Sequence, residues 1–350
     1  MGSVKQITVG GVKIGAGAPV TVQSMTNTKT SDVRETAAQI NRLAGLGCDV
    51  VRVAVPDMAA ADAIGEIKKL ITIPLVADVH FDHKLALRAA EAGADKLRIN
   101  PGNIGSSSGV RAVAELCSKK GLPIRIGVNS GSLSRACLEK HGGPTSEAMC
   151  ESALEHIRLL NGFDFDDICV SIKSTSAPQT IASYRMLSEM TDYPLHLGVT
   201  EAGTEYNGLV KSSIGLGALL ADGIGDTIRV SLTAPPENEV RAGLAILKSL
   251  DLRGGYELIS CPTCGRCGID LIPIAAEVES RLSALGRDIT VAVMGCSVNG
   301  PQEAARADYG ISGGVGEGLL FKKGNICKKV PMENLVDELF NTIESEECLN

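Results

Sequence analysis

The first 250 residues or so alternate between short apolar or β-branched segments and amphipathic segments. In the amphipathic segment Val33–Leu46, the residues Ala37, Ile40, Leu43 and Ala44 recur at helical spacing and form one apolar face. The short segments, which predict eight β-strands, are Pro19–Met25, Val50–Val55, Pro74–Phe81, Lys96–Pro101, Pro123–Asn129, Ile168–Ser174, Pro194–Glu201 and Thr227–Thr233.

Strands that alternate with helices predict parallel βαβ units. Eight units of this size predict one particular α/β fold, the closed (β/α)8 TIM barrel. The alternative is an open doubly wound sheet, which would carry a glycine-rich phosphate loop after its first strand. Residues Gln23–Asn27 do not form such a loop, so the barrel is favoured.

The composition changes at Asp251–Gly255, and the last 100 residues or so predict a small α+β domain. We expect a barrel domain over residues 1–252 and a second domain over residues 253–350. A glycine-rich segment, residues 313–318, predicts a hairpin turn rather than a phosphate loop, because no Gly-Lys-Ser/Thr follows it. The other predicted elements are a strand before Cys261, a helix at about Asp270–Leu285, strands at Ile289–Met294, Asp308–Ile311 and Gly318–Phe321, and a final helix over Pro331–Ser345.

Composition narrows the class of protein. Hydrophobic residues make up 44% and charged residues 21%, which indicates a folded domain rather than a disordered chain. The net charge of −7 argues against a general nucleic-acid partner, and no run approaches the ~20 apolar residues of a membrane span. The first residues lack a signal peptide's apolar core, so we expect a cytoplasmic protein. Its 11 cysteines would then be reduced thiols, of which a clustered few could bind metal.

Basic side chains stand near the carboxyl ends of five predicted strands, where a TIM barrel has its active site. They are Arg52, Arg98, Arg125, Lys173 and Arg229. Any one of them could pair with a neighbouring carboxylate, but burying all five without an anion would cost several kcal/mol each. A ligand with two or more phosphate charges would match them. Glu201 is the only carboxylate expected at the centre of this mouth, as a counter-ion or a general acid.

Cysteines of the second domain form the other candidate site. Cys261 and Cys264 are separated by two residues, and Cys296 lies in a Gly- and Pro-rich segment after a predicted strand. Thiolates in this pattern can hold an iron–sulfur cluster, with a non-cysteine fourth ligand leaving one iron available to a substrate. A zinc site is the alternative and would have to add Cys267, since no histidine follows His196. We interpret Cys267 as a small core residue.

Several motifs together resemble the 4-hydroxy-3-methylbut-2-en-1-yl diphosphate synthase (GcpE) family in its bacterial two-domain form. The resemblance covers the chain nearly end to end. The motifs are Val-Gln-Ser-Met-Thr-Asn-Thr at 22–28, Asp-Val-His-Phe at 78–81, Arg-Ile-Asn-Pro-Gly-Asn-Ile-Gly at 98–105, Ile-Gly-Val-Asn at 126–129, Gly-Val-Thr-Glu-Ala-Gly at 198–203, Cys-Pro-Thr-Cys-Gly-Arg at 261–266 and Met-Gly-Cys-Ser-Val-Asn-Gly-Pro-Gln-Glu-Ala at 294–304.

The resemblance implies a set of roles for particular residues. The catalytic carboxylate would be Glu201. A cyclic diphosphate would be held by Arg52, His80, Arg98, Arg125, Asn129, Lys173, Thr200, Arg229 and Ser231. A 4Fe-4S cluster would be held by Cys261, Cys264, Cys296 and Glu303. One departure is Gln302, which stands where the family usually has glycine and restricts the turn before Glu303 if its φ must be positive.

The reaction implied by the resemblance opens the ring of 2-C-methyl-D-erythritol 2,4-cyclodiphosphate and removes a hydroxyl group with two electrons, in isoprenoid biosynthesis. No hydride-cofactor motif is present, so the cluster would supply the electrons, received singly from reduced flavodoxin or ferredoxin. The resemblance also implies a homodimer in which the second domain of one chain covers the barrel of the other. The short connection Asp251–Gly255 agrees with this, because it makes it difficult for the second domain to fold back over its own barrel mouth. The competing hypothesis is a TIM-barrel transferase or aldolase with a zinc ribbon, acting on a phosphorylated substrate.

Overall fold

The computed structural model describes residues 2–296, 304–314 and 316–345. The chain forms two compact units, Met1–Arg253 and Gly254–Asn350. Arg253 belongs to the first unit by its contacts, because its guanidinium lies 2.6 Å from the Asp49 carboxylate. Each unit has its own hydrophobic core.

The first unit is a nearly closed parallel barrel preceded by a hairpin. The hairpin strands are β1 (Gln6–Val9) and β2 (Val12–Gly15). The barrel strands are β3 (Thr21–Met25), β4 (Val50–Val55), β5 (Leu75–Val79), β6 (Lys96–Ile99), β7 (Ile124–Asn129), β8 (Ile168–Lys173), β9 (His196–Leu197) and β10 (Thr227–Ile228). The helices are α1 (Val33–Gly45), α2 (Met58–Lys68), α3 (His83–Ala92), α4 (Ser107–Lys120), α5 (Arg135–His141), α6 (Ser146–Asn161), α7 (Ala177–Met190), α8 (Glu205–Ala221) and α9 (Pro236–Lys248).

The strand order confirms the predicted barrel. Strands β3 to β8 follow one another in the sheet, β10 pairs with β3, and β9 pairs with β10. A parallel bridge between Val170 and Leu195 links the two end strands. The apolar face of α1 is directed inward as its spacing predicts, since Ala37, Ile40 and Leu43 are buried.

The last two barrel strands are shorter than the sequence predicts. Regular pairing covers only His196–Leu197 and Thr227–Ile228, and the residues beyond them make single hydrogen bonds. The Arg229 amide donates to Leu197, and the Thr200 amide donates to Ser174. Farther along, the Leu232 amide donates to the Glu239 carboxylate rather than to a backbone carbonyl.

The hairpin β1–β2 was not predicted, although its alternation is visible in the sequence. Its turn, Gly10–Gly11, has positive φ at both residues, which glycine adopts without strain. Its buried residues Ile7, Val9 and Ile14 pack on Val50, the first residue of β4. The hairpin therefore covers the amino end of the barrel, opposite the carboxyl ends of the strands.

Within its described residues, the second unit is a five-stranded mixed sheet with two α-helices. Its strands are β11 (Glu257–Ser260), β12 (Thr290–Met294), β13 (Tyr309–Ser312), β14 (Glu317–Lys322) and β15 (Asn325–Pro331), and its helices are α10 (Leu271–Leu285) and α11 (Leu335–Ser345). The sheet order follows the chain, with β11, β12 and β13 parallel and the other pairs antiparallel. The predicted hairpin between β13 and β14 is confirmed.

Two details of this unit differ from the prediction. Strand β15 was missed because its residues are exposed on both faces except Val330, so no apolar alternation marks it. The final helix begins at Leu335 rather than Pro331, because the chain is still in the strand at Pro331 and makes one 3-10 turn, Met332–Asn334, before it. Among the described residues, no helix has both the length and the apolar composition to cross a membrane.

Candidate active site

One cavity of about 250 Å³ opens among the carboxyl ends of the barrel strands. It is lined by Met25, Arg52, Asp78, His80, Arg98, Arg125, Asn129, Ser171, Lys173, Thr200, Arg229 and Ser231. All nine residues predicted to hold the substrate are in this lining. The barrel therefore brings together nine predicted side chains that are up to 179 positions apart in the chain (Arg52 to Ser231).

The strand register explains why these side chains meet. Arg98 is paired with Arg125 across β6 and β7, and Asn129 is paired with Lys173 across β7 and β8. Because side chains alternate between the two faces of a strand, every second residue faces the barrel interior. The sequence-predicted positions fall on that inward face.

Two glycines provide the space in which the cations lie. A Cβ atom at Gly127 would be 2.4 Å from Nε of Arg98, and a Cβ at Gly198 would be 2.5 Å from Nζ of Lys173. Real Cβ atoms do not approach other atoms so closely. Glycine at these two inward-facing positions therefore lets Arg98 and Lys173 lie across the barrel interior.

Asp78 organises one side of the cavity. Its carboxylate accepts a hydrogen bond from Nη1 of Arg98 at 3.0 Å and lies 3.6 Å from Nε of Arg52. Burial alone would raise the pKa of Asp78, but the charges of Arg52 and Arg98 outweigh it and hold that pKa well below its usual range. The same Nη1 of Arg98 lies 2.6 Å from Nε2 of His80, which must accept because a guanidinium can only donate.

The expectation that Glu201 is the only carboxylate at this mouth is wrong. The carboxylate in the cavity lining is Asp78, whereas Glu201 is exposed and follows the lining residue Thr200. Glu201 has a φ of 50° and Phe81, on another loop at the carboxyl ends of the strands, has a φ of 65°. Such left-handed backbone is costly for residues with a side chain and is concentrated at functional sites.

Arg229 is held from outside the barrel by Glu239 of α9. The Glu239 carboxylate accepts from Nη2 of Arg229 at 3.2 Å and from the Leu232 amide at 3.0 Å. It also accepts from Oγ of Ser24 on β3 at 3.3 Å. This buried carboxylate ties the closing strand β10 and the loop that carries Ser231 to the first barrel strand.

The cavity concentrates more positive charge than its carboxylate can balance. Burial, together with the neighbouring cations, lowers the pKa values of Arg52 and Lys173 well below their ordinary values. Burial, followed by the charge of Arg98, lowers the pKa of Arg125 to about 10. Each cation therefore costs free energy in the absence of an anion, and a polyanionic ligand would relieve that cost.

Three lining residues were absent from the predicted set. Asp78, Ser171 and Met25 all line the cavity. Asp78 and Ser171 each stand two residues before a predicted site residue, so the two-residue period of a strand could have identified them. Met25 ends β3, and its sulfur lies 2.9 Å from Nη2 of Arg52.

The second unit brings its thiols to one edge of its sheet. Cys261 and Cys296 follow the parallel strands β11 and β12, and Sγ of Cys261 accepts a hydrogen bond from the Gly295 amide at 3.1 Å. A hydrogen bond from the Arg266 backbone amide lowers the pKa of Cys264 and favours its thiolate. Cys267 is half-buried, and its thiol lies 3.2 Å from the Ile269 carbonyl oxygen, to which it donates.

The thiols of the second unit are chemically suited to bind a metal ion or an iron–sulfur cluster. Thiolates that accept amide hydrogen bonds, on a turn between parallel strands, are typical iron–sulfur ligands. As they stand, no three cysteine, histidine or acidic side chains within residues 2–296, 304–314 and 316–345 are grouped closely enough to hold a metal ion. The fourth predicted ligand, Glu303, lies outside the described residues, as does Gln302, which differs from the usual glycine of the family.

Comparisons with known proteins agree with this geometry. Residues 4–244 match the family of the GcpE TIM-barrel domain, and residues 257–345 match that of the GcpE protein C-terminal domain. A relative from Ruminiclostridium cellulolyticum is 57% identical over 97% of this chain and 96% of its own, and one from Caldicellulosiruptor saccharolyticus is 58% identical over 97% and 98%. Both are named 4-hydroxy-3-methylbut-2-en-1-yl diphosphate synthase (flavodoxin).

Two solved structures of other proteins are similar over about 70% of this chain. A dihydropteroate synthase from Xanthomonas albilineans covers 70% of this chain and 97% of its own with a TM-score of 0.52 and 15% identity. A 3-dehydroquinate dehydratase from Geobacillus kaustophilus covers 71% of this chain and 99% of its own, with a TM-score of 0.51 and 13% identity. At these identities the likeness supports the TIM-barrel fold and says nothing of the chemistry.

The fold and the cavity define a class of protein: a TIM-barrel enzyme with a cationic site for a polyanionic ligand, followed by a thiol-bearing α+β unit. Within that class, the two family matches together cover most of the chain, and both relatives described above exceed 50% identity. The chain belongs to the GcpE family.

Proposed function

We propose that this chain reduces 2-C-methyl-D-erythritol 2,4-cyclodiphosphate to 4-hydroxy-3-methylbut-2-enyl diphosphate, the product in its relatives' names. One observation carries the proposal: five basic side chains converge on a single cavity that holds one carboxylate. The reaction takes up two electrons and one proton. It breaks the bond between a ring carbon and a phosphate oxygen and the bond between another carbon and its hydroxyl group, and it releases water. The freed phosphate oxygen gives the product one more negative charge than the substrate.

The residues of the cavity would bind and orient both ends of the diphosphate. Asp78 pairs with Arg98 of β6 and Arg52 of β4. Lys173 of β8 and Arg229, which follows β10, line the same cavity from other strands. These cations would stabilise the extra charge that appears when the ring opens. Glu201, at the rim beside Thr200, would donate the proton that converts the departing hydroxyl into water.

A 4Fe-4S cluster would be held by Cys261, Cys264, Cys296 and Glu303. When bound, such a cluster supplies the two electrons, one at a time, that no side chain can provide. The electrons would come from reduced flavodoxin, the donor in the relatives' names, or from ferredoxin. We place this chemistry in the cytoplasm, where thiols stay reduced.

The experiment is anaerobic purification followed by single-turnover reduction of the cyclic diphosphate. Brown protein with equal iron and acid-labile sulfide, converting the substrate with reduced flavodoxin, is the expected result. The variant Cys264→Ser should lose iron yet still bind inorganic diphosphate, because the barrel cavity is untouched. Colourless protein with stoichiometric zinc would instead favour the zinc-ribbon transferase, which the relatives' names do not support.

We also propose a homodimer in which one chain's second unit completes the other chain's barrel site. The barrel ends at Arg253, which binds Asp49 immediately before β4 and thus at the amino end of the barrel strands. The cavity lies at the opposite end, so the chain leaves its own barrel on the far side. Mixing Glu201→Gln chains with Cys264→Ser chains should restore part of the activity. No recovery in a verified heterodimer would contradict the shared site.

A further inference from the structure

The interior of the barrel below the cavity is unusually polar. On β3, Thr21 and Gln23 precede the lining residue Met25 at two-residue spacing, and on β6, Lys96 precedes Arg98 in the same way. His196 of β9 and Thr227 of β10 are at the same level as Thr21, because the register pairs Thr227 with both. In TIM barrels these inner layers are ordinarily filled by Val, Ile and Leu.

This polar layer is sealed from solvent. Lys96, His196 and Thr227 are 0% exposed, Gln23 is 1% exposed, and Thr21 is 6% exposed. Below them the hairpin β1–β2 covers the amino end of the barrel with apolar side chains. Bulk water therefore does not solvate these groups.

Many polar atoms in the layer have no hydrogen-bond partner among the described residues. The unpartnered donors are Nζ of Lys96, Nε and Nη1 of Arg125, and Nε2 of Gln23. Both ring nitrogens of His196, the hydroxyl oxygens of Thr21 and Thr227, and Oε1 of Gln23 also have no partner there. A buried donor without an acceptor costs about 1–3 kcal/mol, and a charged one costs more. The unpartnered acceptors of the layer are uncharged, so none of them neutralises Lys96 or Arg125.

The nearest carboxylates are already engaged. Asp78, above the layer, binds Arg98 and Arg52, and Asp226, below it, accepts hydrogen bonds from Ser3 and the Leu195 amide. Cys169 of β8 is no counter-ion either, because burial raises the pKa of its thiol. The layer thus contains two cations, Lys96 and Arg125, and no anionic side chain of its own among the described residues.

Lys96, Arg125 and His196 are buried close enough to one another for their charges to interact. Burial lowers the pKa of Lys96 to about 8, and the charges of Arg125 and Arg52 contribute to this. Burial also lowers the pKa of His196 well below its ordinary value, with Arg125, Lys173 and Lys96 contributing. At neutral pH, His196 is therefore neutral, while Lys96 and Arg125 remain charged.

We propose that the barrel interior binds a small monovalent anion of the size of chloride beneath the substrate cavity, held by Lys96, Arg125 and the amide of Gln23. The ion offsets one of the two buried positive charges and accepts hydrogen bonds from those side chains. A small ion is favoured over a phosphate because the layer is enclosed by the hairpin and the strands. This site shares Arg125 with the diphosphate cavity above it, but binding of the ion does not depend on the proposed reaction.

The first test is a crystal of the unaltered protein grown in bromide, with diffraction measured at the bromine edge. The expected result is an anomalous peak in contact with Nζ of Lys96 and with Arg125. A map that shows only water there, or bromide only in the cavity against Arg52 and Arg229, would overturn the proposal.

The second test measures the unfolding temperature against chloride concentration, with inorganic diphosphate at saturation so that the upper cavity is already filled. Potassium gluconate at equal ionic strength controls for screening, because gluconate is too large to enter. We expect chloride at about 100 times its Kd to raise the unfolding temperature by roughly 5 °C. Lys96→Met should abolish the rise, while Lys120→Met on an exposed helix end should keep it. A rise unchanged in Lys96→Met, or absent in the unaltered protein, would refute the site.

Discussion

The space that Gly127 leaves for Arg98 can be removed with one methyl group. In Gly127→Ala the new Cβ would lie 2.4 Å from Nε, 2.7 Å from Nη2 and 2.9 Å from Cζ of Arg98. Ordinary contact begins near 3.4 Å, so the guanidinium must move by about 1 Å. All three atoms belong to a flexible side chain, and the backbone itself is not obstructed.

The displacement would break the hydrogen bond between Arg98 and Asp78 at 3.0 Å. Hydrogen bonds to charged groups contribute about 1.5–3 kcal/mol, and about 1.4 kcal/mol corresponds to a factor of ten in affinity. We therefore expect the Kd for inorganic diphosphate to rise about 10- to 100-fold and kcat/KM to fall by a similar factor. The unfolding temperature should fall by less than about 5 °C, because the fold need not change.

Isothermal titration calorimetry with inorganic diphosphate is the assay, since it does not require the cluster. Gly217→Ala is the matched control: Gly217 lies in α8, and nothing lies within 4 Å of a Cβ built there. That variant should bind diphosphate normally and be slightly more stable, because alanine favours a helix. If Gly127→Ala folds and binds within twofold of the unaltered protein, Arg98 does not contribute to anion binding in the way described.

Three further experiments test the remaining arguments. Glu239→Gln breaks a buried ion pair with Arg229 and should lower the unfolding temperature by roughly 6–10 °C; an unchanged value would show that the pair contributes nothing. In chloride-free buffer, Lys96 keeps its proton up to the ordinary lysine pKa of 10.5 in the unfolded chain but only up to about 8 in the folded chain. The free energy of unfolding should therefore rise with pH between these two values, and Lys96→Met should lack this rise. Cys267→Ala should retain its iron whereas Cys261→Ala loses it; loss in both would make Cys267 a ligand.

Much of the barrel could be predicted because its signals are local. Each buried parallel strand is a short apolar run, and the helix after it has its own apolar stripe, so spacing alone identified the eight units. The same is true of the site residues at strand ends, since a TIM barrel gathers them whatever their separation in the chain. The two-residue spacing of Cys261 and Cys264 is likewise visible without a structure.

Features that depend on closure of the barrel were beyond the sequence. The two-residue period places Asp78 on the inward face of its strand, but only the strand register shows that it pairs with Arg98 and Arg52. The role of Gly127 depends on a side chain from the neighbouring strand, 29 positions earlier in the chain. Strand β15 was missed for a related reason, because its pairing with β14 rather than its own pattern holds it in the sheet.

The sequence by itself determined the fold class, the two-part organisation and the identity of the residues at the mouth, because periodicity and motif spacing are properties of neighbouring residues. Only the tertiary structure decided which charges are paired and which are left without a partner. Lys96 illustrates the difference: in the sequence it opens an ordinary strand, and in the closed barrel it is a fully buried cation with no acceptor among the described residues. Pairing across a barrel depends on distances through its interior, which spacing along the chain does not encode.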